Sequence, residues 1–254
     1  MKKYFLVIAR YQNEKQDLYD KYIEPINKKY CLKHNFEYVC IKNDQQLELV
    51  RGNPTWWKFS ILQEWIKNNN LKEGDIFTHL DADMVIVKDD NPYQTHKSFS
   101  YAIDNGNTHC MGNYTIKLNE WSSKLVDNIM SEELFQKLKN EDHWQNFREQ
   151  ACWYTLCGIP DHSWTSFFDF QHYGFHKNKT FDTEYSLKEL SDHVEVRGPE
   201  WNTTLLEEEA EDDVSKFLQK YNIVKSKKEN TVIRHFAGGQ PWNPEYFNHK
   251  TILK

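Results

Sequence analysis

Three short apolar runs, YFLVIA (4–9), EYVCI (37–41) and IFTHL (76–80), are separated by two stretches of helical period. This β-α-β-α-β alternation restricts the fold more than any other feature of the chain. It specifies an α/β, doubly wound, mostly parallel sheet with helices packed on its faces. Compact apolar runs of strand length suit strands buried on both sides. The first helical stretch (13–35) spaces Leu18, Tyr22, Ile26 and Tyr30 four apart, and Pro25 is expected to kink or split it. The second opens at Asn53-Pro54, an N-cap followed by a first-turn proline. It carries Trp57, Ile61, Trp65 and Ile66 at helical spacing, and Lys72-Glu73-Gly74-Asp75 ends it.

Beyond residue 90 the pattern is less regular. FSYAI (99–103) and NYTIKL (113–118) read as strands, 119–130 and 143–156 as helices, and TVIRHFAGG (231–239) as a late strand running into a glycine turn. No repeat, low-complexity tract or Pro/Gly/Ser-rich linker interrupts the 254 residues, a length that suits one sizeable domain. The acidic run Glu207 to Asp213 reads as a solvated helix face.

Composition excludes several function classes. A net charge of −6 and the lack of a basic stripe argue against nucleic acid as a partner. No apolar run reaches the roughly 18 residues of a membrane span. The opening MKKYFLVIARYQNE lacks a small-residue cleavage site and is read as a first strand, not a leader. Five cysteines without metal-ligand spacing point to reduced thiols and a cytoplasmic location. On that reading the Asn-x-Thr sequons at Asn113, Asn178 and Asn202 carry no glycan. Aromatic residues make up 15% of the chain, supplying core volume and flat faces on which a sugar or base can stack.

THLDADMVIV (78–87) places Asp81 and Asp83 just past the third strand, in an otherwise apolar stretch. In open α/β sheets ligands bind beyond the carboxyl ends of the strands, which is where these residues fall. Two carboxylates within about 6 Å repel, and partial burial worsens the repulsion. A hard divalent cation such as Mn²⁺ or Mg²⁺ relieves it and completes its shell with substrate phosphates. The alternative is an exposed turn in which both aspartates cap the next element. Far downstream, His235 follows an apolar strand in RHFAGGQPW (234–242). It is read either as a nitrogen ligand beside glycines that admit a phosphate, or as a structural histidine.

Four segments, in order, carry a resemblance to the metal-dependent glycosyltransferases of the GT-A fold. They are NKKYCLKHNFEYVCI (27–41), WWKFSILQEWI (56–66), HLDADMVIV (79–87) and RHFAGGQPW (234–242). They are most like family 34, which holds plant xyloglucan xylosyltransferases and yeast galactosyl- and mannosyltransferases, and more distantly the glycogenin-like family 8. REQACWY (148–154) matches an acidic-Gln pair of those families. The resemblance implies one GT-A domain over 1–254, Rossmann-like, with a nucleotide-sugar half (1–90) and a smaller, mixed acceptor-side half (91–254). It implies Mn²⁺ or Mg²⁺ on Asp81, Asp83 and His235. It also implies a nucleotide-sugar donor, UDP-linked, held by Ala9, Arg10, Tyr11, Lys58, Ala82, Gly238 and Gln240. Glu149 and Gln150 would face the transferring sugar and a glycan or other hydroxyl acceptor, with anomeric configuration retained. At Gln240 the families carry a lysine that meets the diphosphate; Arg10 and Lys58 are the cations that could replace it.

Two other readings compete. Asp81-Ala82-Asp83-Met84-Val85 fits the nucleophile motif of haloacid-dehalogenase-like phosphatases, with Asp81 as nucleophile and Asp83 as acid/base. That motif belongs on a fold's first strand, whereas here a βαβα segment precedes it. A glycan- or nucleotide-binding module without turnover is the non-enzyme reading; the intact Asp81, Asp83 and His235 weigh against it.

Overall fold

The computed structural model describes residues 1–11, 14–42, 50–90, 93, 95–105, 109–139, 144–158, 184–204, 206–207 and 225–236. The three apolar runs form strands β1 (Lys3–Ile8), β2 (Glu37–Ile41) and β3 (Ile76–Leu80). β1 pairs in parallel with both of the others. The six-stranded sheet continues through β6 (His109–Lys117), β5 (Phe99–Ile103) and β7 (Val194–Arg197), in the order β2-β1-β3-β6-β5-β7. Only β6 runs against the rest, pairing antiparallel with β3 and β5. Strands from the first 90 residues and from the remainder therefore share one sheet.

Alternate residues of each strand supply two cores. Tyr4, Leu6 and Phe77 face one side, beneath α3 (Trp57–Lys67), α4 (Glu120–Ile129) and α6 (Trp144–Cys157). Phe5, Val7, Ile76 and Leu80 face the other side, beneath α1 (Glu14–Leu18) and α2 (Glu24–Lys33). All five residues of β3 are buried, as expected of a strand with helices on both faces. A short helix, α5 (Glu132–Lys139), packs beside α6, and α7 (Leu187–His193) leads directly into β7.

The expected break near Pro25 takes the form of a π turn over Tyr19–Ile23 between α1 and α2. Glu24 N–H bonds back to Tyr19 O, five residues earlier, immediately before the residue that has no N–H to give. The buried stripe is centred one residue beyond the expected one. Tyr19, Ile23, Asn27, Tyr30 and Cys31 are covered, while Leu18, Tyr22 and Ile26 are half-buried along its flank. Tyr19, Ile23, Asn27 and Cys31 keep the expected four-residue spacing, one residue out of phase, and the π turn at Tyr19–Ile23 lies within that run. Leu80 hands over to Asp81, and β4 (Met84–Ile86) then pairs antiparallel with β8 (Ile233–His235) as a separate two-stranded ribbon.

Candidate active site

The direction of chain crossover reverses between β1 and β3, and the carboxyl ends of those two strands open on a cleft of about 270 Å³. Arg10 and Tyr11, after β1, line one wall. Thr55, Trp57 and Lys58, at the start of α3, line another, and Asp81–Asp83 form the floor. Asn53 Oδ1 accepts the Thr55 N–H at 2.9 Å and caps a 3₁₀ turn that runs into α3. The positive end of that helix is thereby aimed at the cleft, which favours an anion. The Arg10 guanidinium lies 5.2 Å above the Trp57 ring.

Asp81 and Asp83 have different surroundings. Asp81 Oδ1 is 2.8 Å from His79 Nε2 and 3.5 Å from Lys58 Nζ. Lys58 Nζ lies 3.0 Å from Glu149 Oε1 on α6, so one buried ammonium bridges two carboxylates. Burial pushes the Asp81 carboxyl up, but Lys58 and His79 outweigh it and hold the group well below the usual carboxylate range. Burial pushes the His79 imidazole down despite Asp81, so its Nε2–H donates as a neutral group. Asp83 Oδ1 stands 3.6 Å from His235 Nε2, which the Met84–His235 register of the β4–β8 ribbon places there. His235 Nδ1 lies 2.8 Å from Asn202 Oδ1, a bond in which Nδ1–H donates. Burial lowers the His235 pKa, but Asp83 and then Asp81 raise it further, leaving it above the ordinary value. The Tyr11 phenol is held protonated by burial, with Asp83 and Asp81 adding to the effect.

Among the described residues no three His, Cys, Asp or Glu side chains stand together as an ion site. The donor chemistry nevertheless fits a divalent cation. Asp83 and His235 converge, with the outer nitrogen of His235 fixed by Asn202 as ligating histidines require. Gly112 on β6 makes room for the other aspartate, since a Cβ there would fall 2.4 Å from Asp81 Oδ2. Glu149 is 4% exposed, and its Oε2 has no hydrogen-bond partner among the described residues. Gln150 is turned to the framework: its Oε1 accepts the Met111 N–H at 3.0 Å and its Nε2 donates to Tyr154 OH at 3.0 Å.

The structure therefore brings together Arg10, Tyr11, Lys58, Asp81, Ala82 and Asp83 around the cleft, with Glu149 behind Lys58. Ala9 is buried beneath its rim, where its N–H bonds to Ile41 O. His235 joins Asp83 from the far end of the sequence. Gly238 and Gln240 lie outside the described residues. Sequence reasoning passed over His79, Gly112 and Asn202. A histidine in an apolar strand and a glycine within a strand are weak signals singly, and Asn202 was read only as part of a sequon. Asn113 and Asn202 are both buried, at 1% and 0% exposure, so neither side chain presents a glycan acceptor on the surface.

No protein-family model and no curated protein sequence matches the chain. Among solved structures it is similar to a glycosyltransferase involved in the glycosylation of the major capsid of PBCV-1. The likeness covers 97% of this chain and 99% of that one, with a TM-score of 0.52 and 12% identity. At that identity the likeness speaks to architecture alone: the chain has an α/β, Rossmann-like fold of the GT-A kind over nearly its whole length.

Proposed function

We propose that this chain is a metal-dependent glycosyltransferase that moves a sugar from a UDP-sugar to a hydroxyl of a glycan or another acceptor, retaining anomeric configuration. The observation that carries the reading is the meeting of Asp83 with His235 at the carboxyl end of β3, beside Asp81 and at the sheet's switch point. Asp81, Asp83 and His235 would hold Mn²⁺ or Mg²⁺. When bound, such a dication offsets the negative charge that gathers on a diphosphate leaving group. The residues around it serve the same end. The start of α3 and the Lys58 ammonium present positive charge to the cleft, and Tyr11 presents a phenol that keeps its proton. The Trp57 ring, with the Arg10 guanidinium 5.2 Å above it, offers flat surfaces suited to a nucleoside.

Retention is supported by the state of Glu149. An inverting enzyme needs a base free to take the acceptor's proton, whereas Glu149 is buried and paired with Lys58. The order of the sequence motifs supports kinship with family 34, and five unpaired cysteines suit a reducing compartment such as the cytoplasm.

The test is a panel of nucleotide-sugars examined by thermal shift with Mn²⁺ and with EDTA, followed by UDP release and NMR of the product's anomeric proton. A donor at a hundred times its Kd should stabilise the chain by about 2.7 kcal/mol, or roughly 5–10 °C, only when Mn²⁺ is present. Transfer that persists in EDTA would defeat the metal assignment. Hydrolysis of p-nitrophenyl phosphate without any UDP-sugar binding would favour a phosphatase.

A further inference from the structure

We propose that His79 is a positioning residue that sets the Asp81 carboxylate for the cation, an inference that rests on the metal-dependent reading above. β3 is buried from end to end, and Phe77 occupies the preceding position on the same face as His79. A residue kept there for packing alone would be apolar too, because a buried polar group without a partner is destabilising. His79 is 1% exposed, and its Nδ1 has no hydrogen-bond partner among the described residues. Its one polar contact among them is Nε2 to Asp81 Oδ1 at 2.8 Å. The imidazole therefore bears an unsatisfied nitrogen in order to hold one carboxylate oxygen.

Gly112 completes the setting from the other side. The space that a Cβ would fill there is taken by Asp81 Oδ2, the oxygen that His79 does not hold. The terminal torsion of an aspartate is broad and nearly free. A donor on Oδ1 and an open patch of β6 backbone under Oδ2 fix it before an ion arrives. Lys58 also reaches Oδ1, but from 3.5 Å and through a long, flexible stem. The imidazole is rigid and grows from the end of β3, two residues before Asp81. Partners of this kind behind a ligating carboxylate typically change metal affinity 10- to 100-fold when removed.

The experiment titrates the full chain with MnCl₂, without nucleotide, and reads free Mn²⁺ by electron paramagnetic resonance. Wild type is compared with His79→Leu, His79→Asn and His79→Gln, with near-UV circular dichroism as the check of fold. Glutamine can place its Nε2 near the position of the imidazole Nε2, whereas asparagine falls short and leucine has no donor. Weakening of about 10- to 100-fold in His79→Leu and His79→Asn, with His79→Gln within about fivefold of wild type, supports the assignment. A merely structural role would not separate glutamine from asparagine. Folded His79→Asn or His79→Leu that binds Mn²⁺ like wild type overturns it. Failure of wild type itself to bind Mn²⁺ without nucleotide also overturns this inference, while the metal reading is judged separately by the donor's Mn²⁺-dependent thermal shift.

Discussion

Lys58 carries its charge into a part of the molecule almost closed to water: its side chain and that of Glu149 are each 6% exposed. Burial alone would pull the ammonium's pKa down, yet Asp81 and Glu149 together hold it above the ordinary lysine value. An ion pair of this kind adds little net stability over an apolar pair of the same shape, but removing one member strands the other. Lys58→Met should therefore destabilise the fold by about 3–5 kcal/mol, because Glu149 is left buried without its counter-charge. Lys58→Met combined with Glu149→Leu should regain most of that loss while remaining inactive in transfer. Urea unfolding at matched m-values measures both. A single variant that loses less than about 1 kcal/mol would mean that Glu149 finds water or another donor once Lys58 is gone. The resemblance carried by WWKFSILQEWI (56–66) implied Lys58 as a donor-site cation. Its engagement with Glu149 was not legible, since it depends on how α3 and α6 lie against each other.

At the scale of elements, legibility followed burial pattern and length. β1, β2 and β3 were readable because a strand covered on both faces must be apolar almost throughout. α4 and α6 fall where 119–130 and 143–156 read as helices, and α4 carries the clear amphipathic pattern of the two. The short pieces were not. α5 is a single amphipathic stretch of 8 residues, and β7 is 4 residues of alternating VEVR, lengths at which periodicity distinguishes little. β6 begins earlier than expected, at His109, because a β-bulge between Tyr101 and Ala102 lets β5 keep pairing with it. α4 also shows how a local signal becomes tertiary. Asn119 Oδ1 accepts the Ser122 N–H at 2.9 Å, and Ser122 Oγ accepts the Asn119 N–H, forming a reciprocal cap. The same asparagine's Nδ2 donates to Ser98 Oγ at 2.8 Å, tying the helix start to the chain entering β5. Asn119→Ala should accordingly lower stability by about 1–2 kcal/mol in denaturant titration. Mn²⁺ affinity should be unchanged, because the cap lies away from the cleft; a parallel loss of both would show that α4 and the site are coupled.

For the molecule as a whole, pH reports how the two parts of the sheet are joined. β6 is the antiparallel strand that links β3 to β5, and His109 opens it at 8% exposure. Tyr101 OH meets its Nδ1, Tyr154 OH donates to its backbone oxygen, and burial pushes its pKa down to about 4. An unfolded histidine titrates near 6.5, so between those values the unfolded chain binds a proton that the folded chain refuses. The stabilisation is complete above pH 6.5 or so and drains away as pH falls toward about 4. At a slope of about 1.4 kcal/mol per pH unit, His109 alone removes roughly 2 kcal/mol between neutrality and pH 5. His79, also depressed by burial, acts in the same direction; His235, raised by Asp83 and Asp81, acts in the opposite one. The contribution of His109 is isolated by comparing wild type with His109→Phe in EDTA, by urea unfolding at pH 7 and pH 5. The loss on acidification should be smaller in the variant by about 2 kcal/mol, whatever the variant's stability at neutral pH. Equal losses in the two proteins would mean that the His109 ring is hydrated and titrates normally, and that the junction between β5 and β6 admits water.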